Sequence, residues 1–232
     1  MTNGTIINID NLVKRFPIGG GEFTALNGIT LSFDKGEFSG IVGPSGSGKT
    51  TLLNIIGSLD TPTLGMTRVL GTTSKEMNPK RAAALRKQHI GFIFQTYNLM
   101  PVYTVFENVE FPLLLLKIPS AERKKAVLEA IEWVGLTDKI KSKPPQLSGG
   151  ESQRVAIARA MVKKPDMVLA DEPTANLDAE NSHHILRTME KLNNDLRTTF
   201  IFATHDDKVI KYLKRIITLE DGKVVSDENV KK

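Results

Sequence analysis

Cysteine is absent from the 232 residues, which excludes disulfides, thiolate metal sites and cysteine nucleophiles. Long apolar runs are missing too. The most apolar stretch, residues 111–118, contains Pro112 and Lys117 and falls far short of the roughly 20 residues a membrane-spanning helix needs. The opening MTNGTIINID has neither the basic nor the apolar region of a secretory signal. A soluble, cytoplasmic protein is therefore expected. Aromatics make up only 6%, and no basic run is interleaved with them. Nucleic acid is thus not an expected partner, despite a formal charge of +5. The lysine excess reads as a solvated surface, and Lys231-Lys232 as a frayed tail.

What is present is an ordinary globular composition, 40% hydrophobic and 25% charged, in a chain long enough to bury most of its apolar surface. Period-two patterns at Ile7, Ile9 and Leu12, and at Ile29, Leu31 and Phe33, predict strands. Short apolar runs predict further strands at 38–42, 90–94, 167–170 and 199–203. A terminal hairpin over 215–219 and 223–225 turns at Asp221-Gly222. Helices are expected at 50–59, at 81–89 behind Pro79, from an N-cap at Ser120 to Gly135, after Ser148, at 179–196 and at 207–213. Lys143-Pro144-Pro145 predicts an extended linker. Alternating strands and helices point to an α/β fold with a mainly parallel sheet.

Gly43-Pro44-Ser45-Gly46-Ser47-Gly48-Lys49-Thr50 matches G-x-x-x-x-G-K-[ST]. Its glycines let backbone N–H groups turn toward phosphate oxygens that a Cβ would obstruct. Lys49 adds a cation for the β- and γ-phosphates, and the Thr50 hydroxyl is a hard oxygen ligand for Mg²⁺. An apolar strand precedes the loop, and the helix that follows turns its N-terminal dipole toward the anion. Farther on, residues 167–170 form an apolar strand ending in two carboxylates, Asp171 and Glu172. In enzymes with such a loop, the first acid holds Mg²⁺ and the second orients and deprotonates the attacking water.

Leu147-Ser148-Gly149-Gly150-Glu151 resembles the LSGGQ signature of ABC ATPases, with Glu in the last place, and continues as Ser152-Gln153-Arg154-Val155-Ala156-Ile157-Ala158-Arg159-Ala160. Ser148 lies 99 positions after Lys49 and 23 before Asp171, separations similar to the family's. The resemblance covers essentially the whole chain. Gln95 looks like the Q-loop glutamine, Ala175-Asn176-Leu177-Asp178 like the D-loop, His205 like the switch histidine and Phe16 like the adenine-stacking aromatic. Gly65-Met66-Thr67-Arg68 is less regular than the family's strand after the first helix. Residues 57–63, 94–99 and 107–113 are most similar to the lipoprotein-release and macrolide-export type. Cell-division and peptide-antibiotic-resistance ATPases share much of this pattern, so a non-transporting membrane complex stays open as the alternative.

The resemblance implies a single ABC ATPase domain: an α/β P-loop core with an antiparallel N-terminal β lobe (1–96 and 165–232) and an inserted helical signature lobe (97–164). It implies ATP on Gly43 to Thr50 and Thr51, with adenine against Phe16. Mg²⁺ belongs to Thr50, Gln95 and Asp171, the general base is Glu172, and His205 stabilises transition-state charge. A second copy would dock head to tail, offering Ser148, Gly149, Gly150 and Glu151 to the γ-phosphate, with Asp178 beside the shared site. A transmembrane permease would dock at the helical lobe, with Tyr97, Asn98, Leu99, Met100 and Val102 as contact candidates. The protein would then be cytoplasmic and peripheral on the inner face of the cell membrane.

Overall fold

The structure, a computed structural model, describes residues 4–230. The first three residues of the MTNGTIINID segment and the Lys231-Lys232 tail lie outside these. Strands β1 (Thr5–Ile18) and β2 (Gly21–Asp34) form an antiparallel ladder. In β2, Leu26, Ile29, Leu31 and Phe33 are buried while the residues between them face outward. This is the pattern of a sheet with one solvated face. Strand β3 (Phe38–Val42) is buried at every position, so it reads as a continuous apolar run rather than an alternation.

Helix α1 (Lys49–Ile56) stops before the predicted residue 59. Gly57 ends it where a Cβ would sit 2.7 Å from the Phe92 ring, and Ser58 turns left-handed at φ 54°. Strand β4 (Leu64–Val69) forms despite its irregular sequence. Gly65, at φ 83°, lies against the backbone of Asn11, where a Cβ would be 2.2 Å from the carbonyl oxygen. The irregularity is thus a glycine demanded by close strand approach. Short β5 (Thr72–Thr73) completes a four-stranded antiparallel sheet in the order β2-β1-β4-β5.

Helix α2 (Pro79–Gln88) is capped by Asn78, whose side chain accepts from Arg81 N at 2.9 Å. Strand β6 (Ile90–Ile93) follows. Helix α3 (Val105–Leu115) carries Pro112 inside it and has no strong amphipathic period. A Thr104–Glu107 capping box defines its start. Helix α4 (Ser120–Trp133) places Ser120 at its first position, and Pro119 occupies the N-cap. The expected Ser120 cap is therefore corrected: proline enters the helix with φ already fixed and no side-chain cap is made. Only Lys143 of the expected linker is extended, because Pro144–Gln146 close a 3₁₀ turn.

Helix α5 (Gly149–Met161), strand β7 (Met167–Asp171), helix α6 (Ala179–Leu196) and strand β8 (Thr199–Thr204) match their predicted positions closely. Helix α7 (Asp207–Ile210) is shorter than the predicted 207–213, because Tyr212 and Leu213 donate to carbonyls three residues back. Strands β9 (Arg215–Glu220) and β10 (Lys223–Asn229) form the hairpin. The larger sheet runs β10-β9-β3-β8-β7-β6 and is parallel except for that hairpin.

One core fills the space between this sheet and helices α3 to α6, around Phe38, Phe200 and Phe202. The other joins α1 to both sheets through Ile9, Leu31, Leu52 and Ile56. No helix among the described residues is long and apolar enough to cross a membrane. Asn108 is fully buried on α3, where Met100 N donates to its Oδ1 and its Nδ2 donates to the carbonyls of Met100, Tyr103 and Thr104. Asn108→Ala strands these groups and should cost about 2–3 kcal/mol. Urea unfolding checks this, and a loss under about 1 kcal/mol would show that the loop satisfies itself.

Candidate active site

The loop after β3 bends at Gly43, where a Cβ would fall 2.1 Å from the Leu219 carbonyl oxygen. Gly48 is equally constrained, at φ 102° with a virtual Cβ 2.6 Å from the Ala25 carbonyl. Gly48 is also the N-cap of α1 and supplies no side-chain acceptor, and the first turn of α1 holds no acid. The first N–H groups of the helix therefore lack intrahelical partners.

Lys49 is buried and donates to the carbonyls of Gly43 and Pro44 at 2.7 and 2.8 Å. No carboxylate among the described residues pairs with it. The Ser47 hydroxyl is buried without a partner, while Pro44, Ser45 and Gly46 are exposed around the mouth of the loop. An orphan helix start, an uncompensated ammonium and a spare hydroxyl fit a ligand rich in anionic oxygens.

At the end of β7 the chain brings its acids to this loop. Thr50 Oγ1 donates to both Asp171 oxygens, at 3.1 and 3.2 Å. Burial pushes the Asp171 carboxyl above the usual range. The Thr50 hydrogen bond opposes that shift, the Glu172 charge adds to it, and Lys49 counters it. Hydroxyl and carboxylate are hard oxygen donors of the kind Mg²⁺ takes. Among the described residues no group of three or more His, Asp or Glu could hold a metal alone. Such an ion would complete its coordination with phosphate and water.

Glu172 leaves the strand in a left-handed conformation, φ 45°, with its N–H donating to Ala203 O at 2.9 Å. Its two oxygens have partners of their own. Thr204 Oγ1 donates to one at 2.9 Å, and His205 Nδ1 lies 2.6 Å from the other. The two neighbouring acids thus have different surroundings, as alternation along a strand requires. His205 keeps most of its side chain in solvent, 60% exposed.

The other predicted residues have partners outside this cluster. Gln95 is exposed after β6, and its carbonyl accepts from Asn176 Nδ2 at 2.9 Å. Asp178 caps α6 by accepting from Asn181 N at 2.8 Å. Phe16 is half-buried on β1 with the Lys14 ammonium 4.9 Å from its ring centre. Among the described residues, no hydrogen bond or ion pair joins 148–151 to 43–51. Of the docking candidates, Leu99 packs against the core while Val102 is 70% exposed. Sequence reasoning did not single out Thr204 or Lys14, although both stand within one or two residues of a recognised position.

Residues 26–175 match the ABC transporter family model. The chain belongs to the ABC transporter family. The cassette is 40% identical over 220 residues to the lipoprotein-releasing system ATP-binding protein LolD of Bacteroides fragilis, covering 95% of this chain and 100% of that protein. It is 42% identical over 226 residues to the macrolide export ATP-binding/permease protein MacB of Hyphomonas neptunium, covering 97% of this chain. The cassette spans only about a third of the length of these macrolide export relatives, 35% in that case. The dimeric, post-hydrolysis structure of the ATP-binding cassette MJ0796 bound to ADP and Pi superposes with a TM-score of 0.89 at 39% identity, covering 97% of this chain and 99% of that one. The family, its ATPase class and the α/β P-loop fold are those the sequence resemblance implied.

The Glu that replaces the signature glutamine has a structural part in the cassette. Glu151 Oε2 accepts from Ser148 N at 2.7 Å, Ser148 Oγ accepts from Glu151 N at 3.2 Å, and Lys139 lies 3.3 Å from Oε1. The Ser148 backbone hydrogen bond holds this carboxyl below its ordinary range. Ser148→Ala breaks the capping box and should lower stability by about 1 kcal/mol. Chemical denaturation measures this, and an unchanged midpoint would show that water replaces the cap.

Proposed function

We propose that this cassette binds ATP with Mg²⁺ between two head-to-tail copies and hydrolyses it to drive a transmembrane permease of the exporter or lipoprotein-release type. The observation that supports this most directly is the anion-ready loop at 43–51, with its uncapped helix start and unpaired Lys49, directly beside Asp171. The loop residues Gly43, Pro44, Ser45, Gly46, Ser47, Gly48, Thr50 and Thr51 wrap the phosphates, and Lys49 turns from its two carbonyls to the β- and γ-oxygens. Phe16 offers a ring face to adenine. Thr50, Asp171 and Gln95 would hold Mg²⁺, which would supply neutralisation of the negative charge that develops during phosphoryl transfer.

Glu172 accepts a proton from the attacking water as its oxygen bonds to the γ-phosphorus and the bond to the ADP oxygen breaks. In that step His205 exchanges its contact with Glu172 for the γ-phosphoryl oxygens. The partner copy closes the site with the start of its own α5, where Ser148, Gly149, Gly150 and Glu151 stand, and with the loop ending at Asp178. Residues 97–164 act as the lobe that carries this helix and receives the permease. The pair thereby works at the inner face of the cell membrane without entering it.

Phosphate release by purified protein tests the reading. The wild type should release phosphate only with Mg²⁺ and ATP, and Glu172→Gln should be slower by about 10²–10⁴-fold, the usual worth of a general base. The slowed variant should also become dimeric with ATP by light scattering. Equal rates in wild type and variant would remove Glu172 from its role.

A further inference from the structure

Arg159 lies on α5, eleven residues after Ser148, so about 16 Å of rigid helix separates the two. Its guanidinium is substantially buried and pairs with no carboxylate among the described residues. Instead, Nη1 donates to the carbonyl of Asn98 at 2.5 Å and Nη2 to that of Tyr97 at 2.7 Å. Both of those residues are left-handed, at φ 58° for Tyr97 and 49° for Asn98. Two consecutive non-glycine residues in that region persist only where the surroundings over-determine them. The forked donor is what holds these two carbonyls.

Gln95 stands two residues before this pair, and Asn176 fixes its own carbonyl. Tyr97 also approaches the signature end of α5, its Oη lying 3.0 Å from where a Gly149 Cβ would be. The Gln95 loop is therefore tied to α5 at more than one point. Arg159 further lines an apolar groove of about 480 Å³ with Phe92, Phe94, Met100, Phe111 and Leu115.

We propose that Arg159 is a positioning residue for hydrolysis: by holding Tyr97 and Asn98 left-handed it sets where Gln95 stands. This rests on the reading that Gln95 serves the metal and γ-phosphate. The hydrogen bonds of Arg159 go to the Tyr97 and Asn98 carbonyls. Its effect passes through the backbone of residues 95–98, and removing it should slow turnover while leaving the phosphate loop and Phe16 to bind ATP as before.

Steady-state ATP hydrolysis by the full chain tests this. Arg159→Met should lower kcat about tenfold with the KM for ATP unchanged within about twofold, because only a group acting after binding is displaced. Arg159→Lys keeps the buried charge but not the fork, and should lose about threefold. Adding Asn98→Gly to Arg159→Met should restore at least about threefold, since glycine adopts the left-handed backbone without help. A merely structural role for the arginine would not be rescued in this way. Full kcat in either arginine variant, or no rescue by the glycine, overturns the clamp. Gln95→Ala, assayed in parallel, separates the two claims. If it hydrolyses normally, the role of Gln95 fails and the clamp with it. If it is slow while Arg159→Met is normal, the clamp alone fails.

Discussion

A buried ammonium without a carboxylate faces a helix start without a cap at the end of β3, and the architecture is arranged around that shared deficit. Lys49 and the first turn of α1 are both electropositive: Lys49 donates to two carbonyls and α1 has no side-chain cap, a setting suited to an anion. Close approaches of Gly43 to Leu219 and of Gly48 to Ala25 lock the loop against both sheets. The hollow is thus built into the packing of β2, β3 and β9 rather than left to loop flexibility, which limits the reorganisation that binding requires.

The parallel order of the larger sheet then determines what stands beside the hollow. Strand β8 lies between β3 and β7 and runs parallel to both, so the C-terminal ends of all three open on the same edge. Asp171 and Glu172 arrive from β7, and Thr204 and His205 from β8. Neighbouring strands place two adjacent carboxylates at one rim while giving them different partners. Thr50 engages the first, and Thr204 with His205 engages the second. Burial raises the pKa of Asp171. On the proposed reading, a cation held beside Asp171 would offset the cost of burying its charge.

Much of this was legible in the sequence because motif residues must occupy fixed backbone geometries. The phosphate loop, the paired acids and the runs forming β3, β7, β8 and α6 emerge from local pattern alone, since strands buried on both faces and strongly amphipathic helices carry dense local signals. The misreadings arose where a distant contact decided the outcome. Residue 57 must be glycine beside the Phe92 ring, just before Ser58 turns left-handed, and Gly65 looks irregular because Asn11 crosses beside it, whereas the Ser120 cap was lost to its own neighbour, Pro119. Arg159 was hidden for the same reason. Its partners are backbone carbonyls more than sixty positions earlier, and no spacing rule points from a helix arginine to them.

The two helix starts proposed to grip one phosphate are not equivalent. Helix α1 begins bare, whereas α5 begins with its own capping box: Glu151 takes the Ser148 N–H and Ser148 takes the Glu151 N–H. The donors left for a ligand at α5 are therefore the N–H groups of Gly149 and Gly150, with the Glu151 carboxylate, folded back onto the Ser148 N–H, opposing an anion and Lys139 offsetting it. On the proposed reading, a full cation and an uncapped helix would act on the phosphate from one chain, and two backbone donors in a nearly neutral setting from the other. On the proposed reading, the α1 side dominates capture of nucleotide by a single chain. The α5 side contributes a weaker, geometry-dependent contact, sensitive to how Gln95 and the base of α5 are held. If the proposed reading holds, this asymmetry would let one copy keep its nucleotide while the contact between copies is made and broken.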